Sequence, residues 1–368
     1  MGTGHQRGWG VRVLAGGSYF DANAHYESVG SEALYQTTAI DKHHLTLGIQ
    51  CQRNTQRDTH VSTEADLNYF FKLPSGTKFS GRDPGNWLGG EGESEDIWAV
   101  LAQDIYEFNQ DVDVIVGARY DSYEQDGDAF SPRVAVVWDT FFGQVLKASY
   151  GRAFAAPYSS ERYFNLSGFK GNPDLKPATI DTYELALQNL MQDRFHYAIV
   201  AFHSVLADGF SDDQSAAADT PVFSNSADET FRGVEVEARW LINAQLSIWG
   251  NYSHVTAQNA QPGQILGFVE DMGNVGFSVD LAKALSLSSY AHITDDLRDQ
   301  DTHIDGAVVV HAALVYSGVK NTEISLVARN LLDEEIIYAN DLNSALGQPL
   351  PPLVGDGRQV LLTVKHSF

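Results

Sequence analysis

The chain has 368 residues, and its 48 Asp and Glu against 24 Lys and Arg give a formal net charge of -24. This balance argues against nucleic acid as a partner, because phosphate binding needs clustered Lys and Arg side chains. The single cysteine, Cys51, excludes an intrachain disulfide and any metal site built from several cysteines.

The dominant pattern along the chain is a period-two alternation of apolar and polar residues, which is typical of strands with two different faces. No stretch reaches the roughly 18–20 consecutive apolar residues that a membrane helix needs. A closed β-barrel also satisfies every backbone polar group in lipid, and its strands need only about 9–11 residues each. The pattern therefore predicts an all-β protein and leaves a membrane location open.

Sixteen strands are predicted in chain order. They lie near 9–20, 31–40, 43–53, 95–108, 111–122, 131–139, 144–152, 179–190, 194–205, 230–241, 244–256, 273–282, 285–294, 305–316, 321–331 and 357–368. Short links lie at 41–42, 109–110, 140–143, 191–193, 242–243 and 317–320, and long polar stretches lie at 54–94, 153–178, 206–229, 257–272 and 332–356. So many long loops are uncommon in compact soluble domains. Short and long connections in alternation are typical of periplasmic turns and extracellular loops.

The polar faces of these strands are heavily charged. In the strand 230–241, Val234, Val236, Ala238 and Trp240 alternate with Glu235, Glu237 and Arg239. Such charge suits a wide, wet lumen with the apolar face turned to lipid. We therefore predict an antiparallel, up-and-down transmembrane β-barrel of about sixteen strands. A soluble all-β binding protein, with its apolar face turned inward, is the distant alternative.

Three segments carry a resemblance to a known family. In chain order they are DIWAVLAQDIYEF at 96–108, then YGRAFAAPYSSERYF at 150–164 followed by GNPDLKPATIDTYELAL at 171–187, and finally VARNLLDEEIIYA at 327–339 followed by GRQVLLTVKHSF at 357–368. In this order and spacing they resemble the C-terminal part of TonB-dependent outer-membrane receptors, in particular siderophore receptors. The resemblance covers essentially the whole chain.

The resemblance implies uptake of a scarce nutrient, most often an iron–siderophore complex, driven by the inner-membrane TonB system in a Gram-negative outer membrane. Receptors of this kind have about 22 strands and a plugged lumen. We therefore expect residues 1–368 to form one barrel domain that lacks the plug, the TonB-contacting segment and about six strands. Residues 1–20 also lack the apolar core of a signal peptide, which favours a fragment or a wrongly assigned start.

The resemblance also points to candidate ligand-binding residues in the loop 153–178, where the family captures its ligand. They are Tyr158, Arg162, Tyr163, Phe164, Phe169 and Lys170. Rings and cations of this kind can stack on and pair with an anionic iron chelate. The alternative is that the rings pack the loop onto the barrel. The segment contains no histidine, which disfavours haem.

The last strand resembles the signal that the barrel-assembly machinery reads. Val360, Leu362 and Val364 share a face with the terminal Phe368, and His366 stands where that signal usually has an apolar residue. We expect outer-membrane lipid and this machinery to be partners of the chain.

No enzyme motif is present: the sequence lacks a nucleophile elbow, a phosphate loop, a His-Glu-x-x-His zinc motif and a dinucleotide fingerprint. We expect no enzymatic activity, no cofactor and no metal site. The acidic run Asp295, Asp296, Asp299 and Asp301 has no fixed calcium-loop pattern and is interpreted as a solvated loop. Two further functions stay open beside uptake: a plugless passive pore and a non-functional truncated fragment.

Overall fold

The computed structural model describes residues 10–15, 18–63, 78–80, 92–125, 127–163, 165–166, 169–189, 194–212, 223–259, 269–299, 302–338 and 353–367. Strands dominate these residues. They are β1 Gly10–Ala15, β2 Ser18–Thr37, β3 His43–Thr63, β4 Lys78–Ser80, β5 Ser94–Glu107, β6 Val112–Tyr123, β7 Gly127–Asp139, β8 Gln144–Ala155, β9 Asn165–Leu166, β10 Phe169–Lys170, β11 Ala178–Asn189, β12 Phe195–Asp212, β13 Phe223–Leu241, β14 Leu246–Asn259, β15 Asp271–Ala282, β16 Leu285–Thr294, β17 Leu297–Asp299, β18 Thr302–Ile304, β19 Val308–Val319, β20 Thr322–Arg329, β21 Ile337–Tyr338, β22 Leu353–Val354 and β23 Gln359–His366. A single turn of helix, α1, spans Ser159–Tyr163. Within the described part of the chain, no helix has the length and apolar content needed to cross a membrane.

The long strands follow an antiparallel, up-and-down order. One set of ladders joins β1 to β2, β2 to β3, β3 to β5 and β5 to β6. Another joins β14 to β15, β15 to β16, β16 to β19, β19 to β20 and β20 to β23. Each of these strands pairs with its neighbour in the chain order of long strands, so the connections are hairpins and no crossover is needed.

The chain divides into two compact units. The first contains Met1–Val136, Ser149–Thr182 and Val205–Glu229, and the second contains Val137–Ala148, Tyr183–Ser204 and Thr230–Phe368. The first unit therefore contains the ladders of β1 to β6 together with α1, and the second contains the ladders of β14 to β23.

In the first unit, the apolar face of the sheet is exposed. Ile49 on β3 lies opposite Val100 on β5, and both side chains project from the surface, 58% and 44% exposed. The other face carries polar side chains. Asp121, only 2% exposed, accepts hydrogen bonds from Nε of Arg119 at 2.9 Å to each carboxylate oxygen. This burial pattern is the reverse of that of a soluble domain and fits apolar side chains that face lipid.

The second unit repeats the arrangement. Leu326 on β20 is exposed and lies opposite Leu362 on β23, while the polar Ser247 on β14 is buried. Three residues of the predicted assembly signal, Val360, Leu362 and Val364, lie on one face of β23, and all three are exposed. Phe368 lies outside the described residues. Recognition by the assembly machinery stays a prediction.

All sixteen predicted strands have counterparts, namely β1 to β3, β5 to β8, β11 to β16, β19, β20 and β23. Several predicted limits were wrong. The predicted strand 9–20 is two strands, since Ala15 ends β1 and pairs with Ser18 at the start of β2. The polar stretch 54–94 contains the rest of β3 and all of β4, and 206–229 contains the end of β12 and the start of β13.

The physical reason is that ladder pairing continues past the apolar part of each strand. Polar residues such as Asn54 and Thr55 pair with Ser28 and Glu27 on β2. Backbone hydrogen bonds do not depend on side-chain polarity, so a polar composition marked the end of the apolar face and not the end of the strand.

We expect the substitution Ile49→Arg to destabilise the protein in phospholipid vesicles by roughly 2–4 kcal/mol, because a cation on the lipid-facing side of a barrel strand is poorly solvated. Denaturant titration followed by tryptophan fluorescence measures the change. The matched control is Thr46→Arg, which places the same cation on the polar face of β3 and should change stability by less than about 0.5 kcal/mol. Equal losses for the two variants would show that the assignment of faces is wrong.

Candidate ligand-binding site

A cavity of about 710 Å³ lies within the first unit. Its wall is formed by the polar faces of β2 and β3, the start of β5, the end of β6 and the residues 156–163 that follow β8. The lining mixes tyrosine rings, neutral amides and charged groups. Cavities of this size and chemistry are large enough to enclose a small-molecule ligand.

The segment around α1 is stabilised by its own backbone. The N–H groups of Glu161 and Arg162 donate to the carbonyl oxygen of Tyr158 at 3.0 Å and 3.2 Å. In return, Oε2 of Glu161 accepts the N–H of Tyr158 at 2.8 Å, as a glutamate does at the start of many helices. Burial raises the pKa of Glu161, and this hydrogen bond offsets part of the rise.

The phrase Asn-Pro-Asp-Leu-Lys-Pro, residues 172–177, packs against α1. The N–H of Asn172 donates to the carbonyl of Glu161 at 2.8 Å, and Nη2 of Arg162 donates to the carbonyl of Pro173 at 2.7 Å. A Cβ added to Gly171 would lie 2.6 Å from the backbone of Arg162, so only glycine permits this close approach. Leu175, 3% exposed, is the apolar anchor of the phrase.

A single asparagine holds this phrase to neighbouring strands. Oδ1 of Asn225 accepts the N–H of Lys176 at 2.9 Å, and its Nδ2 donates to the carbonyl oxygens of Lys176 and Asp208 at 2.9 Å and 2.8 Å. The side chain of Asn172 adds a bond from Nδ2 to the carbonyl of Phe223 at 3.0 Å. The loop that carries the candidate ligand-binding residues is therefore cross-linked to β13, and through Asn225 to β12.

A row of amide side chains on β3 forms one wall of the cavity. Gln50 donates to Gln52 at 3.3 Å, Gln52 donates to Asn54 at 2.8 Å, and Nη2 of Arg119 donates to Gln50 at 2.9 Å. The row arises because alternate residues of a strand point to the same side. Its polar alternation was visible in the sequence, but its place in a cavity depends on the pairing of β2 with β3.

The cavity holds carboxylates and buried aromatic hydroxyls close together. Glu27, Glu32, Glu93 and Glu95 line it, and so does Arg162. Burial raises the pKa of Tyr163, and Glu93 and Glu95 add to the rise, against the opposing charge of Arg162. The Tyr163 hydroxyl donates to Oε1 of Gln125.

Three of the six predicted ligand-binding residues, Tyr158, Arg162 and Tyr163, line the cavity. Tyr158 is 73% exposed, whereas Arg162 is 9% exposed. Lys170 is exposed and is not among the lining residues. Phe164 and the side chain of Phe169 lie outside the described part of the chain. Ligand binding by any of the six stays a prediction.

A second group of side chains, which the sequence did not predict, lies in the second unit. The ligand atoms of Asp296, His303 and Asp305 lie within 4.8 Å of one another. The β17–β18 hairpin creates this group, because it brings His303 back towards Asp296. Nε2 of His303 lies 3.1 Å from Oδ1 of Asp305 and 3.7 Å from Oδ2 of Asp296, and all three residues are exposed.

The family of the chain follows from comparison with known proteins. Residues 2–331 match the family described as TonB dependent receptor-like, beta-barrel, so the chain belongs to this family. The predicted resemblance and the predicted barrel class are thereby confirmed. The family consists of receptors and is not a family of enzymes.

Individual relatives agree with this assignment. An iron-regulated outer membrane virulence protein of Vibrio cholerae serotype O1 is 23% identical over 275 residues, which are 66% of this chain and 41% of that protein. A mutant of the ferric enterobactin receptor PfeA from Pseudomonas aeruginosa has a TM-score of 0.69 at 15% identity, with 95% of this chain and 55% of that chain covered. The copper transporter OprC has a TM-score of 0.72 at 15% identity, with 96% and 58% covered. At such identities the structural likeness establishes the fold alone, and the chain spans less than two thirds of each of these proteins.

We expect Asn225→Ala to loosen the loop, since it removes two hydrogen bonds to Lys176 of the 172–177 phrase and a third to the carbonyl of Asp208. The local free energy of opening should fall by about 1–3 kcal/mol, measured as faster amide hydrogen exchange at residues 172–178. Asn243→Ala removes a similar amide from a turn of the second unit, where Oδ1 accepts the N–H groups of Gln245 and Leu246. Exchange at 172–178 that is equally fast in both variants would contradict the role given to Asn225.

The raised pKa of Glu161 makes the α1 segment pH-dependent. The folded segment binds this proton more tightly than the unfolded chain, whose glutamate pKa is about 4.3. Stability therefore falls as pH rises from about 4.3 through the folded-state pKa, and the loss is complete above it. Hydrogen exchange of α1 amides as a function of pH should show this slope in the wild type and not in Glu161→Gln. A slope that persists in the variant would assign the pH dependence to another group.

Proposed function

We propose that this chain is the barrel portion of an outer-membrane receptor that takes up a scarce nutrient, in particular an iron–siderophore complex. The inner-membrane TonB system drives the transport step. The observation that carries this proposal is the cavity of about 710 Å³ beneath the α1 segment, in a chain of the TonB-dependent receptor family.

The lining suits a compact organic chelate. Tyr26, Tyr123, Tyr158 and Tyr163 offer flat rings for stacking. The amides of Gln50, Gln52 and Asn54 offer donors and acceptors that fix an orientation. The names of the relatives support iron as the element: one is an iron-regulated protein of the outer membrane, and another is a ferric enterobactin receptor.

Separate parts of the chain contact separate partners. The exposed apolar faces of both units contact outer-membrane lipid. The last strand, with Val360, Leu362 and Val364, is recognised by the barrel-assembly machinery during insertion. TonB acts through the complete receptor in the family, and its contact with this protein is inferred from family membership.

We expect a panel of ferric siderophores, tested by isothermal titration against the purified chain in detergent, to include at least one that binds. In Tyr158→Ala/Tyr163→Ala, the affinity should fall by about tenfold or more, because stacking of aromatic rings contributes about 1 kcal/mol per ring and the cavity wall is lost. The matched control is Phe141→Ala/Phe142→Ala, which removes two exposed rings from the turn after β7. A panel in which no ferric siderophore binds, or equal losses in both variants, would refute the proposed site.

A further inference from the structure

The charged side chains that line the cavity carry more negative than positive charge. Among the described residues that line it, four are carboxylates, Glu27, Glu32, Glu93 and Glu95, and Arg162 is the cation. The guanidinium of Arg162 is buried and bonded to the carbonyl of Pro173, so it already serves the loop.

Neighbouring side chains reduce the excess without removing it. Arg57 pairs with Glu27 at 3.1 Å. Arg119 pairs with the buried Asp121 at 2.7 Å, and it also interacts electrostatically with Glu32. When these neighbours are counted, five carboxylates face three guanidinium groups, which leaves an excess of two negative charges. Because the wall is partly shielded from water, this excess is screened less than charge on an open surface.

The charge of the whole chain acts in the same direction. The formal net charge of -24 produces a negative potential that an approaching anion meets before it reaches the cavity. Both the cavity and the long-range field therefore disfavour a ligand with several negative charges.

The charge of a ferric chelate depends on its chelating groups. Three monoanionic hydroxamates cancel the charge of ferric iron, whereas three dianionic catecholates leave the complex with three negative charges. We infer, on the basis of the proposed function, that the cavity takes a ferric trihydroxamate, neutral or cationic, and rejects a ferric tricatecholate. The amides of Gln50, Gln52 and Asn54 match the uncharged polar groups of such a ligand. The site therefore differs in ligand class from the ferric enterobactin receptor whose fold it shares.

The test compares two probes by isothermal titration with the purified full chain in detergent. One probe is ferrioxamine B, a ferric trihydroxamate with a protonated amine, and the other is ferric enterobactin, a ferric tricatecholate. At about 50 mM salt we expect ferrioxamine B to bind at least about tenfold more tightly, and we expect the ratio to shrink at about 500 mM salt as the charges are screened.

Charge-neutral variants separate electrostatics from shape. Glu32→Gln/Glu93→Gln should reduce the preference for ferrioxamine B severalfold, whereas Glu323→Gln/Glu335→Gln removes two exposed carboxylates of the second unit and should leave it unchanged. Tighter or equal binding of ferric enterobactin would overturn this inference and leave the proposed function intact. If neither probe nor any other ferric siderophore binds, the proposed function fails, and this inference fails with it.

Discussion

Hydrocarbon offers no hydrogen-bond partner, so every backbone N–H and C=O group inside a bilayer must be paired within the protein. In this chain the antiparallel ladders supply most of those pairs, for example along β2 and β3, where one bulge between Asn23 and His25 interrupts the register. Strand pairing fixes the side-chain period at two, and the two faces then separate by polarity. Ile49 and Val100 face outward together, while Gln50 and Asp121 face the polar side. The polar cavity is thus a consequence of the same pairing that makes the outer face apolar.

The site depends on this sheet for one wall and on a cross-linked loop for the other. The register of β2 with β3 places Glu32 opposite Gln50 and Ser28 opposite Asn54, so residues distant in sequence share one wall. The loop adds Tyr158 and Tyr163, and Asn225 fixes its position from β13. Side chains on strands vary little in position, whereas a loop tolerates changes of sequence. The sheet therefore forms the more constant wall of the cavity, and the loop forms the wall that changes of sequence can alter.

The strands were predictable because alternation is a local property, visible in any run such as 45–51. Their ends were not predictable, because Asn54 and Thr55 are polar and nevertheless continue the ladder with β2. The motif at 171–177 indicated the family, but its physical roles required coordinates: Gly171 permits a close approach to Arg162, and Asn172 bonds across to Phe223. The cavity wall was the least predictable part, because it depends on strand register. The group of Asp296 and His303 was missed for the same reason.

Arg162 illustrates why a residue with suitable chemistry for an anion need not bind one. A buried guanidinium requires compensation for its lost hydration, and Arg162 obtains part of it from the carbonyl of Pro173 and from the nearby charge of Glu95. Its Nη2 joins α1 to the 172–177 phrase, so the guanidinium cannot leave its present position without breaking that bond. The ring of Tyr158, in contrast, is largely exposed. In the proposed site, the rings, amides and carboxylates are therefore the groups that a ligand would contact first, while the arginine serves the architecture that presents them.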